Sequence, residues 1–186
     1  MYNNYVGIYK KNAPARVVKP NLQITPFKAL PKTDEFDSFQ LTSAYRCFNE
    51  SAINASIEQN PRLKSILAEL KIPAKINVNE LNKLKSEHAK QTQDIVAGII
   101  ANLPQSTKEC VNVKAVKEAA LLHDIGKVLI PENILNKTTA LNDKEWNIMS
   151  KHAELGYEIL KPMGLDIKTL DLVKFHHQNQ SHSGYP

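Results

Sequence analysis

The strongest constraint in this chain is a run of apolar stripes at helical spacing that begins after Pro73 and carries histidines on its inward faces. Between Leu81 and Leu103 the positions His88, Thr92, Ile95, Ile99 and Leu103 recur at helical intervals, with Val96 and Ile100 widening the stripe until Pro104 ends it. A second helix is expected from about Val113 to Asp124, where Val113, Val116, Ala120 and His123 share a face. Gly126, a residue tolerant of positive φ, is expected to stop it. Pro131 suits the first turn of a short helix through Leu135. Asn142 opens the next: it can cap, Glu145 completes a capping box, and Leu141 with Trp146 forms a hydrophobic staple. That helix presents Met149, His152, Gly156, Ile159 and Leu160 and ends near Pro162. A last helix from about Asp166 aligns Ile167, Leu170, Val173 and His177, with Phe175 and His176 beside them. Strand-like alternation is scarce, so the expected fold is all-α.

The first part of the chain reads differently. Residues 1 to about 40 hold Pro14, Pro20, Pro26 and Pro31 among lysines and asparagines without a sustained period, the pattern of an extended or disordered arm. From Ser38 to Leu70 the pattern turns helical, broken at Pro61, with Leu63, Ile66, Leu67 and Leu70 as a short stripe. The expected division is an arm over 1–75 with a short helical segment and a domain over 76–186.

Composition narrows the function classes. The formal charge of +5 favours acidic partners, but the lysines and arginines are scattered without aromatic interleaving, so a nucleic-acid polymer is not the expected ligand. Cys47 and Cys110 form no CxxC pair, which suits a reducing, cytoplasmic setting. No stretch approaches the roughly 18 apolar residues of a membrane span, and the first residues lack the apolar core of a signal peptide.

Chemistry concentrates from His88 onward, where all six histidines lie: His88, His123, His152, His176, His177 and His182. A lone histidine on an apolar face is ordinarily a packed core residue. Several helices each delivering one inward call for more, because both nitrogens of every buried imidazole need a partner. A shared metal supplies it. Asp124 adds a carboxylate able to bridge two cations, and the mixed donor set suits iron, manganese, zinc or cobalt better than calcium. Two divalent ions roughly 3.5–4 Å apart would acidify water near neutral pH and hold phosphate oxygens for in-line attack. Lys127 could neutralise a non-bridging phosphate oxygen.

The string LLHDIGKVLIP, followed by ILNK, EWNIMSKH, ELGYEIL, HH and finally GYP, resembles the HD-GYP family within the HD superfamily of metal-dependent phosphohydrolases. The resemblance runs from His88 to the last residue. It implies a helical domain with a two- or three-metal centre, in a family whose active members hydrolyse cyclic di-GMP to pGpG and, in some cases, GMP. Carried over by position, it makes His88, His123, Asp124, His152, His176 and His177 the metal ligands, with Asp124 bridging. It gives Lys127 a contact to substrate phosphate, and makes Gly184, Tyr185 and Pro186 a signature loop for structure and for contact with a signalling partner. Leu84 stands where a three-metal variant has glutamate, so two ions, iron or manganese, are expected.

There are departures. Gln178 replaces a glutamate, Ser181 and His182 replace an Asp-Gly pair, and His182 reads as an exposed loop histidine. Family members continue through a helix that supplies an aspartate ligand and basic residues that grip phosphate, so the domain is expected to be incomplete at its carboxy-terminal end. The expected activity is cyclic di-GMP phosphodiesterase. The alternatives are a non-catalytic HD-GYP interaction module, or a hydrolase of another nucleotide.

Overall fold

Six helices begin the same way, on an asparagine or aspartate whose side-chain oxygen accepts a backbone N–H of the first turn: Asn49, Asn60, Asn77, Asn112, Asn142 and Asp166. These caps satisfy donors that the helix itself leaves free, each stabilising it by about 1 kcal/mol. The computed structural model describes residues 42–181 and 183–186, excluding the side chains of Thr42, Glu87 and Ala89. The expected arm over residues 1 to about 40 lies outside the described residues. Among the described residues there are helices and no strands.

In chain order these are α1 (Thr42–Tyr45), α2 (Glu50–Gln59), α3 (Pro61–Leu70), α4 (Val78–Lys83), a π-helical turn (Leu84–His88) and α5 (Ala89–Ala101). Then come α6 (Gln105–Cys110), α7 (Val113–Leu122), a 3-10 segment (Ile125–Leu129), α8 (Glu132–Leu135), α9 (Asp143–Ser150), α10 (His152–Leu160), a 3-10 turn (Lys161–Met163) and α11 (Ile167–Phe175).

α10 is the axis of the packing. Ala153, Leu155, Ile159 and Leu160 are fully buried, and His152, Gly156 and Glu158 are buried between them. A helix buried nearly all round belongs in a core, and α10 meets α2, α3, α9, α11 and the 3-10 segment. Each large apolar side chain so buried contributes about 1.5–3 kcal/mol relative to exposure. Asn60 links this axis to α3. Its Oδ1 caps the helix at Arg62 and Leu63 while its Nδ2 donates to the Glu158 carbonyl and carboxylate, at 3.0 and 2.8 Å.

Residues 42–75 carry three helices whose buried Ile53, Leu63, Ile66 and Leu67 belong to the same core as Leu155 and Ile159. Packing among the described residues is therefore continuous across position 75.

Several local expectations are corrected. The helix expected over 81–103 is α4, a π turn and α5, and a separate α6 follows Pro104. The expected single helix from Asn142 to Pro162 is interrupted at Lys151. Gly126 does not have positive φ. It lies inside the 3-10 segment, where a Cβ would stand 2.0 Å from the His152 carbonyl oxygen and 2.5 Å from the Gly156 nitrogen. Its function is close approach of two backbones. Ile95, Ile99 and Ile167, read as stripe residues, are exposed, because the stripes extend beyond the faces that neighbouring helices cover.

Candidate metal centre

Three helix ends and one π-helical turn converge on Asp124. α7 runs out at Leu122, so His123 and Asp124 emerge where the backbone tightens into the 3-10 segment. The absent side chain of Gly126 lets that segment lie against α10, which begins at His152. α11 ends at Phe175 and delivers His176 and His177. The π turn ends on His88, a form of helix often found at functional positions.

Asp124 divides its two oxygens. Oδ2 lies 3.1 Å from His88 Nε2, 3.3 Å from His123 Nε2 and 2.7 Å from Lys127 Nζ, while Oδ1 lies 3.5 Å from His152 Nε2 and 4.0 Å from His176 Nε2. Two clusters result that could each hold an ion: His88, His123 and Asp124, and His152, His176 and His177. His152 Nε2 lies 3.2 Å from His176 Nε2 and 3.1 Å from His177 Nε2.

The donor chemistry fits a cation. Nδ1 of His123, His152 and His176 faces the carbonyl oxygen of Ala120, Met149 and Val173, at 2.9, 2.7 and 2.7 Å. In each case Nδ1–H donates, which in the neutral ring leaves the Nε2 lone pair on the inward side. Two such lone pairs facing each other across 3.2 Å repel unless something positive stands between them. Ligands about 2.1 Å from one ion stand about 3.0–3.4 Å apart at octahedral or tetrahedral angles, which matches the spacing here.

Electrostatics points the same way. Burial pushes His152 down to about 4 and His176 down to about 3, with the Asp124 charge partly opposing this at His152. His177 is also lowered, chiefly by burial. These rings are neutral at pH 7, as ligands must be. Burial pushes His123 down, but the hydrogen bond and charge of Asp124 prevail and raise it. Burial raises the Asp124 carboxyl, yet hydrogen bonds from His123 and His88 and the charges of His123 and Lys127 together hold it well below the carboxylate range.

All six expected ligands and Lys127 are thus brought together, while His182 lies outside the described residues. A groove of about 770 Å³ opens beside His123 and His176, lined by Thr92, Val96, Val116, Leu172 and Phe175 among others. The motifs did not reveal that the Tyr185 ring lies on the His177 ring, with centroids 4.5 Å apart and planes 24° apart, or that Trp146 meets Tyr185 edge-on at 5.9 Å. No periodicity connects a residue of α9 with one in a terminal loop, so the only signal was the GYP string.

Fold and site together define a helical, metal-dependent domain built on a histidine–aspartate pair. The chain belongs to the HD domain family, whose model matches residues 86–183, and its GYP-ended motif set is of the HD-GYP type. It is 42% identical over 73 residues to 3'3'-cGAMP-specific phosphodiesterase 2 of Vibrio cholerae, covering 38% of this chain and 14% of the relative. It is 35% identical over 94 residues to cyclic di-GMP phosphodiesterase response regulator RpfG of Xanthomonas campestris, covering 49% and 24%. To a cyclic di-GMP phosphodiesterase of Thermotoga maritima it is 40% identical over 78 residues, covering 41% and 21%. The chain thus matches no more than a quarter of the length of these three curated relatives. Among the described residues no helix is long and apolar enough to cross a membrane.

Proposed function

We propose that residues 76–186 form a cyclic-dinucleotide phosphodiesterase domain that hydrolyses cyclic di-GMP to pGpG or GMP in the cytoplasm, using two divalent ions, iron or manganese. The observation that carries this reading is the division of Asp124: its carboxylate completes one three-donor cluster with His88 and His123 through Oδ2 and faces a second, His152, His176 and His177, through Oδ1. His88, His123 and Asp124 Oδ2 would hold one ion; His152, His176, His177 and Asp124 Oδ1 would hold the other. When bound, such a pair supplies Lewis acidity to phosphate oxygens and acidifies water near pH 7.

The protein's own groups do the rest. The backbone carbonyls of Ala120, Met149 and Val173 fix three imidazoles in one tautomer and one orientation. Lys127, 2.7 Å from Asp124 and partly exposed, is within reach of a phosphate oxygen at the centre and would stabilise charge developing there. The apolar groove beside His123 and His176 offers low-dielectric walls to a ligand approaching from that side. The names of the relatives support a cyclic dinucleotide as substrate, with 3'3'-cGAMP as a second candidate beside cyclic di-GMP.

The test is anaerobic loading with iron(II) or manganese(II), elemental analysis, and product chromatography with cyclic di-GMP, 3'3'-cGAMP and simple nucleotides. Two ions and linear product from a cyclic dinucleotide are expected, and Asp124→Asn should lose both ions. Two bound ions without turnover of any substrate would defeat the catalytic reading. It would favour a second reading, a binding module that meets a signalling partner through Gly184, Tyr185 and Pro186. That reading draws on Gln178, which stands at the family's glutamate position and donates through Nε2 to the Pro186 carbonyl at 2.7 Å.

A further inference from the structure

We infer that Tyr185 is a positioning residue for His177 and thereby sets the affinity of the second ion; this rests on the metal-centre reading above. Three of the five ligand imidazoles are braced by Nδ1–H donation to a carbonyl three residues earlier. His177 has no such brace among the described residues: its one hydrogen-bond contact there is Nε2 to His152 Nε2, on the side that would face the ion. It is also exposed, whereas His152 is 2% exposed. A ligand ring whose second nitrogen has no such brace turns more readily about χ2, and each alternative orientation lowers the population competent to bind.

The His177 ring also meets two other candidate ligand rings, His176 at 4.1 Å and His152 edge-on at 4.9 Å; from outside that set its restraint comes from the Tyr185 face. The two rings are close to parallel at 4.5 Å, and Tyr185 is itself backed edge-on by Trp146 at 5.9 Å and by His152 at 6.1 Å. Offset stacking of this kind favours one plane for the imidazole. The loop is built to hold Tyr185 there. A Cβ on Gly184 would lie 2.0 Å from the His177 carbonyl oxygen and 2.7 Å from the Gln178 Cα, so only glycine allows the loop to lie on the backbone of the ligand it serves. Gln178, the next residue after His177, ties back to Pro186 through its amide. Both neighbours of Tyr185 are thus anchored to the His177–Gln178 segment.

Carbonyl braces and aromatic stacking are two solutions to the same requirement, since the second nitrogen or the plane of a ligand imidazole must be fixed. The chain of residues 1–186 and its Tyr185→Phe, Tyr185→Ala and His177→Ala variants would be titrated with cobalt(II), with visible absorption and elemental analysis as readouts. Thermal unfolding in metal-free buffer would confirm that each variant is folded. Tyr185→Ala should weaken the second of two cobalt sites by about 10–100-fold while leaving the first unchanged. Tyr185→Phe, which keeps the ring, should bind like the parent, and Ala at both 177 and 185 should bind no worse than His177→Ala alone. Two full-affinity sites in Tyr185→Ala, or equal loss at both sites, would overturn this inference alone. Fewer than two sites in the parent chain would overturn the metal-centre reading and this inference with it.

Discussion

Replacing Gly126 by alanine is the sharpest probe of how the centre is assembled. A Cβ there would lie 2.0 Å from the His152 carbonyl oxygen and 2.5 Å from the Gly156 nitrogen, and neither main-chain atom can rotate aside. To restore even 3.0 Å, the 3-10 segment and α10 must part by about 1 Å. Overpacking of this kind costs about 1–3 kcal/mol, and two main-chain obstacles in α10 point to the upper end. At about 2–4 °C per kcal/mol for a chain of this size, Tm should fall by about 6–12 °C. The same displacement carries Asp124 away from His152, now 3.5 Å apart, so manganese should bind about tenfold more weakly or worse. Thermal unfolding by circular dichroism and calorimetric titration of manganese would measure the two effects. Gly156→Ala is the control: its nearest neighbours would stand at 3.3 Å, so a smaller loss is expected. A Gly126→Ala chain within about 2 °C of the parent would refute the close-approach argument.

Acid should destabilise the metal-free chain early. His152 and His176 have folded values of about 4 and about 3, below their ordinary 6.5, so their contribution is complete above 6.5 and is lost as pH falls toward those values. Raised His123 acts in the opposite sense, its contribution being present below 6.5 and lost as pH rises through its folded value. The buried, neutral pair should dominate, so Tm should decline from pH 6.5 to 4; a Tm that holds or rises over that window would contradict this. Asn60→Ala removes a helix cap and both bonds to Glu158. Urea unfolding at pH 7 should show a loss of about 2–3 kcal/mol, and a loss under about 0.5 kcal/mol would show that the cap and the tie do not matter.

Much of the candidate centre was legible because its histidines and Asp124 sit where helices begin or end, and helix ends are written locally. The capping box of Asn142 and Glu145 is formed as its spacing suggested, and the helix carrying Leu170 and Val173 begins where Asp166 can cap it. Gly126 shows the limit. A glycine needed for positive φ and a glycine needed for backbone contact look identical in a sequence, and the second demand depends on His152 and Gly156, which are distant along the chain. The π turn before His88 was equally hidden, since one extra residue in a turn leaves the apolar pattern almost unchanged. Ile95 and Ile99 fit a helical stripe without being covered, because periodicity records which residues share a face and not what lies against it. The stacking of Tyr185 on His177 depends on tertiary geometry alone.

The braces on His123, His152 and His176 have an effect on mutational tolerance. Their acceptors are main-chain oxygens of Ala120, Met149 and Val173, and every amino acid carries that oxygen. Substitution at those three positions can change shape and packing but cannot delete the acceptor. His177 depends instead on a particular side chain and a particular glycine, so single replacements can remove its support. Random mutation should therefore reach the support of His177 more readily than the support of His123, His152 and His176.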